Sequence, residues 1–253
     1  MDTAAATSHY NHAGRAEGRL ASFDALRYVA SHADLAGAFG TDKHAATVHY
    51  IANGHAEGRA LSFDPLQYAM ANADVRQALG FDAESLARHF ILHGQAEGRA
   101  AALGRVEGTA GDDSLQGGGL AQVLAGGAGA DRLVAGRAGD YLSGGAGADE
   151  LVGGAGADVF HFAVKDGAAD MVRNFTRGMD RVVVDGDAFD LLGGVPRLMS
   201  HPLMLEGRAG FTFDGSTGSL WFWRDGNLNS SDNMLVARFD PGTWLAASDL
   251  LVV

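Results

Sequence analysis

Six nine-residue units follow one another without a gap from Gly108 to His161. The most regular read GGAGADRLV (126–134), GGAGADELV (144–152) and GGAGADVFH (153–161). A large apolar residue returns at every ninth position: Leu115, Leu124, Leu133, Leu142, Leu151 and Phe160. Two residues before it stands Asp113, Asp131, Asp140, Asp149 or Asp158; only the second unit, GGGLAQVLA, departs, with Gln122. A unit this short cannot bury a core alone and must stack on its copies. A flexible glycine-rich linker has no reason to keep an aspartate and an aliphatic residue in register. Matches to GxGxxG arise trivially in such a run, and no strand, glycine loop and helix surround them.

The pattern G-G-x-G-x-D-x-U-x resembles the repeats-in-toxin (RTX) family, whose repeat implies a parallel β-helix that binds Ca²⁺ in its turns. The residue types suit that chemistry. Glycines let the backbone turn with φ > 0, so carbonyl oxygens can converge. Aspartate adds the hard anionic oxygen that Ca²⁺ takes among its six to eight ligands. The x-U-x triplet forms a short strand whose middle residue points inward. Two units complete one coil, so units 1, 3 and 5 share one edge and units 2, 4 and 6 the other. The candidate ligands are the carboxylates of Asp113, Asp131, Asp140, Asp149 and Asp158. With them go the turn residues Gly108, Ala110 and Gly111; Gly126, Gly127, Ala128 and Gly129; Gly144, Gly145, Ala146 and Gly147; and Gly153, Gly154 and Gly156. About three ions are expected, from the pairs Asp113–Asp131, Asp131–Asp149 and Asp140–Asp158. The last site is weaker, because unit 4 (AGRAGDYLS) has Ala135 and Ala138 where the pattern has glycine. A site between units 2 and 4 is lost with Gln122.

The chain has 253 residues and a net charge of −12, which argues against nucleic acid and anionic membrane surfaces as partners. It contains no cysteine, which excludes disulfides and thiol chemistry. No run of 18 apolar residues is present, so a membrane-spanning helix is not expected. The first residues, MDTAAATSHYNH, have neither a basic nor an apolar region of a secretory signal peptide.

A second repeat, with a period of 40, precedes the first. SFDALRYVASHADL (22–35) matches SFDPLQYAMANADV (62–75); HYIANGHAEGR (49–59) matches HFILHGQAEGR (89–99) and HYNHAGRAEGR (9–19). Each full unit reads as two helices. The first carries Phe23, Leu26, Val29 and Ala30 at helical spacing, starts near Asp24 or Asp64 as cap, and has Pro65 in its first turn. The second spans 42–53 and 82–93, with Gly54 and Gly94 as left-handed terminators. Such pairs lean on their neighbours. The period is similar to a helical repeat of large bacterial surface RTX proteins. His89 and His93 have zinc-ligand spacing. His89, however, aligns with His49 and His9, so it reads as structural, and Arg19, Arg59 and Arg99 read as capping or inter-repeat ion pairs.

After Phe160 the chain resembles the usual end of RTX proteins. DMVRNF (170–175) is similar to that family's D-x-I-x-D-F segment, with Asn174 for the second aspartate, and MDRVVVD (179–185) to the strand that follows it. FDGSTGSLWFWRDG (213–226) resembles the closing hairpin: Leu220 and Phe222 alternate with Trp221 and Trp223, and Asp225–Gly226 is a turn signal. DGNLNSSD (225–232) lacks the glycine and glutamate of an EF-hand loop and reads as a turn. The ending Asp249-Leu-Leu-Val-Val resembles the uncleaved signal of type I secretion substrates.

The expected architecture is thus multidomain α+β. A helical-repeat module (1–105) precedes a parallel β-roll with Ca²⁺ in its turns (106–165), which an antiparallel β region with the secretion signal caps (166–253). RTX proteases and lipases share this C-terminal half, yet the chain has no HExxH, GxSxG or cysteine nucleophile. The expectation is a non-enzymatic, secreted, Ca²⁺-binding protein of a bacterial surface, matrix or adhesion layer. Its partners would be a type I (ABC) secretion apparatus and a cell-surface polysaccharide or protein bound through residues 1–101. The alternative is an export and folding module, or an accessory, of a secreted RTX enzyme; Met1 and the ending read as a whole chain, which disfavours a fragment.

Overall fold

The computed structural model describes residues 23–163, 166–186, 188–189, 198–199, 209–224 and 233–252. The half repeat at 9–19, the segment 225–232 and Val253 lie outside the described residues. The chain divides into two compact units, Met1–Ala102 and Leu103–Val253.

In the first unit each 40-residue repeat forms three short helices where the pattern predicts two. They are α1 (Ala25–Ala30), α2 (Ala33–Phe39) and α3 (Lys43–His49), then α4 (Pro65–Ala71), α5 (Ala73–Leu79) and α6 (Ala83–His89). A π-helical turn extends α3 (Tyr50–Gly54) and α6 (Phe90–Gly94). Asp24 and Asp64 cap α1 and α4 through Arg27 N–H and through Leu66 and Gln67 N–H. The predicted first helix breaks in its middle because local side chains compete with the helical ladder. Ser31 Oγ donates to Arg27 O and accepts from Phe63 N–H; Asn72 Nδ2 donates to Tyr68 O and Ala100 O. His32 and Asn72 leave the helical conformation, and α2 and α5 start after them. Leu26, Tyr28, Val29, Tyr68, Ala69 and Leu86 form the centre of this unit's core.

The glycine assignment also changes. Gly40 and Gly80, with φ of 52° and 65°, end α2 and α5. Gly54 and Gly94 are not left-handed. They are glycine because a Cβ would lie 2.1 Å from Tyr28 Oη and 2.4 Å from Tyr68 Oη. Those hydroxyls bond His49 Nδ1 (3.0 Å) and His89 Nδ1 (2.8 Å). The period-40 tyrosine, histidine and glycine are therefore one packing device.

The second unit holds two sheets. One is entirely parallel, in the order β1 (Gly104–Glu107), β3 (Gln122–Ala128), β5 (Tyr141–Ala146), β7 (Val159–Phe162), β9 (Arg181–Val184) and β14 (Leu250–Val252). In the other, β2 (Ser114–Gln116), β4 (Arg132–Val134), β6 (Glu150–Val152), β8 (Asp170–Arg173) and β13 (Met234–Phe239) lie parallel. Antiparallel β12 (Ser219–Trp223) and β11 (Gly210–Asp214) follow, then β10 (Leu198–Met199) beside β11. The chain alternates between sheets, so each coil lies on the one 18 residues earlier: Leu115 faces Leu133, Leu133 faces Leu151, and Leu124 faces Leu142. Leu124, Leu133, Leu142, Leu151 and Phe160 are fully buried between the sheets.

The roll does not stop near 165. Leu151 pairs with Val172 and Phe160 with Val182, so β8 and β9 continue both sheets with longer connections. β13 and β14 then close the stack in parallel, and the antiparallel part is confined to β11–β13. Within it Leu220 and Phe222 are buried and Trp221 and Trp223 are partly exposed, as their alternation predicts. No helix among the described residues is long and apolar enough to cross a membrane.

Gly94→Ala should destabilise the helical unit by about 1–3 kcal/mol, the usual cost of overpacking. Gly37→Ala, where a Cβ meets nothing within 4 Å, should not destabilise it. A urea titration followed by far-UV circular dichroism of the full chain checks this. In a Tyr68→Phe background, which removes the clashing oxygen, Gly94→Ala should cost less.

Candidate metal sites in the turns of the roll

Each turn brings one aspartate beneath the sheets, and the aspartates form two ladders. On the edge of units 1, 3 and 5, Asp113 N–H donates to Asp131 Oδ1 and Asp131 N–H to Asp149 Oδ1, both at 2.8 Å. Asp149 N–H then donates to Asp170 Oδ1 at 3.0 Å. On the other edge Gln122, Asp140 and Asp158 donate their N–H to Oδ1 of Asp140, Asp158 and Asp180. Asp170 and Asp180 thus continue the ladders past the nonapeptides. The signal for them was present in the sequence: each stands two residues before a buried valine, Val172 or Val182, as each repeat aspartate stands before its leucine.

The second carboxylate oxygens distinguish the turns. Asp140 Oδ2 accepts Gly136 N–H (2.6 Å), Asp158 Oδ2 accepts Gly154 N–H (2.7 Å), and Asp180 Oδ2 accepts Thr176 N–H (2.7 Å). Asp113 Oδ2 accepts both the N–H and hydroxyl of Thr109. Gln122 Oε1 accepts Gly118 N–H in the same way. Asp131 and Asp149 differ: their Oδ2 atoms are buried without any hydrogen-bond partner. In their turns Gly127 and Gly145 have φ of 116° and 108°, and Gly129 and Gly147 of 112° and 123°. Only glycine adopts that backbone readily. The carboxylates fold over Gly126 and Gly144, where a Cβ would lie 2.1 and 1.9 Å from Oδ2. Unit 4 accommodates Ala135 at this position because the Asp140 carboxylate is bonded to Gly136 instead.

A buried, unpartnered carboxylate oxygen is costly, and a cation satisfies it. Asp131 and Asp149 therefore fit Ca²⁺ best among the candidates. The carbonyls of Gly127 and Gly129, which face Gly145 and Gly147 across the gap between turns, would complete an oxygen shell with them. Such an ion would neutralise the stacked carboxylates and tie two coils together. No three acidic, histidine or cysteine side chains converge on a point among the described residues, so backbone carbonyls must supply most ligands. Gly108, Ala110 and Gly111 lie in the turn whose carboxylate Thr109 occupies. Gly153, Gly154 and Gly156 lie in that of Asp158, whose two oxygens are both bonded to N–H groups.

Burial shifts these carboxylates. It pushes Asp158 up to about 6 and Asp170 up to about 8, against backbone hydrogen bonds that favour the charged forms. Asp140, Asp149 and Asp180 are raised for the same first reason.

In the helical unit the zinc spacing leads elsewhere. His89 is bonded to Tyr68, and the His89 and His93 rings lie 5.5 Å apart. Arg59 pairs with Asp34 and Glu57, and Arg99 with Asp74 and Glu97, which joins the loop after the third helix of each repeat to its second helix. These guanidinium groups hold Asp34 and Asp74 below the usual carboxylate range.

The fold and its turns define a parallel β-roll with aspartates stacked in its turns. Residues 105–119 and 125–160 match the family described as the RTX calcium-binding nonapeptide repeat, in four copies. The chain therefore carries RTX calcium-binding repeats. Among solved structures, the AlgE6R3 subunit from the Azotobacter vinelandii mannuronan C5-epimerase is 26% identical, with a TM-score of 0.39 over 57% of this chain and 80% of that one. The AlgE6R2 subunit of the same enzyme is 25% identical, with a TM-score of 0.43 over 62% and 96%. No curated protein matches the chain.

The pH dependence follows from Asp158. Its folded-state pKa lies above the ordinary aspartate value of 3.8, so its contribution to stability is full below about pH 4 and is lost as pH rises through about 6. Asp140 and Asp180 act in the same sense. In chelator, the roll's tryptophan emission should lie further to the blue, that of a more folded segment, at pH 4.5 than at pH 7.5. The fluorescence of Trp221, Trp223 and Trp244 reads this unit alone, because the chain's three tryptophans all lie in it. An emission that moves to the blue as pH rises in chelator would contradict the assignment.

Proposed function

We propose that this is a secreted, non-enzymatic Ca²⁺-binding protein of a bacterial surface, matrix or adhesion layer, whose roll folds on extracellular calcium. The observation that carries the reading is the pair of buried, unpartnered oxygens of Asp131 and Asp149 on one edge of the roll. Without an ion, like charges stack and a glycine-rich backbone has a large ordering entropy to overcome. Binding energy then appears as folding energy. The helical repeats serve as the interaction module, toward a cell-surface polysaccharide or protein.

Export by a type I (ABC) apparatus completes the scheme. Leu250–Val252 form β14, in register with β9, and Asp249 is buried with Oδ2 accepting Ala246 N–H. A tail built into the sheet is available to an exporter only before the roll folds. Folding on calcium outside the cell would keep that order of events.

In chelator at pH 7.5 the tryptophan emission should be that of an unfolded segment. Addition of Ca²⁺ should shift it to the blue with a midpoint of roughly 10⁻⁴–10⁻³ M, the range of extracellular calcium modules. An emission spectrum identical in chelator and in millimolar Ca²⁺ would refute the reading. Removal of the last fifty or so residues should retain the protein in cells that carry the exporter, whereas removal of residues 1–100 should not. Normal secretion of the C-terminally truncated chain would leave β14 as ordinary core.

A further inference from the structure

We infer that the ion column runs one turn further toward the C terminus than the nonapeptides do, and that its last site lies between the turn of Asp149 and the segment Asp166–Asp170. The inference rests on the calcium reading above and adds a site that the repeat pattern does not contain.

In the ladder, Oδ1 of each aspartate is directed back to the preceding coil, where it accepts an N–H: Asp131 Oδ1 from Asp113 and Asp149 Oδ1 from Asp131. Oδ2 is then the oxygen left for the following gap. Asp131 Oδ2 serves the gap to the turn of Asp149, and Asp149 Oδ2 serves the gap to the turn of Asp170. Both are unpartnered, and both aspartates are only 2% exposed. The gap before them is different, because Thr109 occupies Asp113 Oδ2 through two hydrogen bonds.

The terminal gap is also richer in charge than an interior one. Inside the roll, Gly129 N–H donates to a neutral carbonyl of the next coil, that of Ala146. At the end, the equivalent Gly147 N–H donates to the carboxylate of Asp166 at 2.8 Å. Asp166 thus stands where the repeat has a peptide oxygen. Its other oxygen accepts Ala168 N–H, which shapes the connection before Asp170. Asp149, Asp166 and Asp170 lie around one gap, and none of them forms an ion pair with a described residue. One buried unsatisfied carboxylate oxygen, with two further carboxylates bordering the gap and backbone carbonyls to complete the shell, is a hard-oxygen site for a divalent cation.

One ion per unpartnered oxygen gives two ions on this edge. Calorimetric Ca²⁺ titration of the full chain, with terbium luminescence as a second readout, tests the placement. Asp166→Asn, an exposed and nearly isosteric change, should remove one of the two ions, and Asp170→Asn should do the same. Asp113→Asn should leave both. Tryptophan emission in saturating Ca²⁺ verifies that each variant is folded. If Asp166→Asn and Asp170→Asn keep two ions while Asp113→Asn loses one, the column ends where the nonapeptides end and the inference is wrong. If the unaltered chain binds no Ca²⁺, the calcium reading itself fails, and this site with it.

Discussion

The roll depends on one hydrogen bond, repeated. An aspartate N–H in one coil donates to the carboxylate of the aspartate in the next, at 2.8–3.0 Å on the edge of Asp131 and Asp149. This contact fixes the coil-to-coil register, and the register stacks Leu133 on Leu151 and Leu124 on Leu142. It also buries the carboxylate, so its second oxygen needs a partner. The turn supplies that partner in two ways. A backbone N–H four residues earlier can cap it, or a glycine backbone with φ > 0 can turn that N–H away and leave the oxygen for a cation. The first solution folds without metal. The second makes metal a part of the fold.

The two solutions divide by edge. Asp140, Asp158 and Asp180 are capped by N–H groups. Asp131 and Asp149 are uncapped. On the calcium reading, the roll couples a capped edge to one that waits for a cation, with the apolar core shared between them.

Much of this was legible in the sequence. The nine-residue period gave the strands, the inward leucines and the carboxylates, because stacking requires the same residue type at each level. The edge division was not legible. GGAGAD occurs at 126–131, 144–149 and 153–158, yet Gly154 caps Asp158 while Gly127 and Gly145 leave their aspartates open. Identical hexapeptides differ according to the turn they stack on: unit 6 lies against unit 4, whose Ala135 and Ala138 replace glycine. Asp170 and Asp180 were missed because their connections are longer than nine residues. In the helical repeats the period was clear, but the break at Ser31 and Asn72 depends on side-chain bonds to Phe63 and Ala100, far along the chain. Gly54 and Gly94 looked like helix ends; tyrosine hydroxyls 26 residues earlier are what require them.

The central claim is that calcium occupies one edge of the roll. A crystal structure of the protein grown in Ca²⁺, with an anomalous difference map, tests it most directly. The account predicts calcium peaks between the turns of Asp131 and Asp149, and none between those of Asp140 and Asp158. Peaks of equal height on both edges, or a peak only between Asp140 and Asp158, would contradict it.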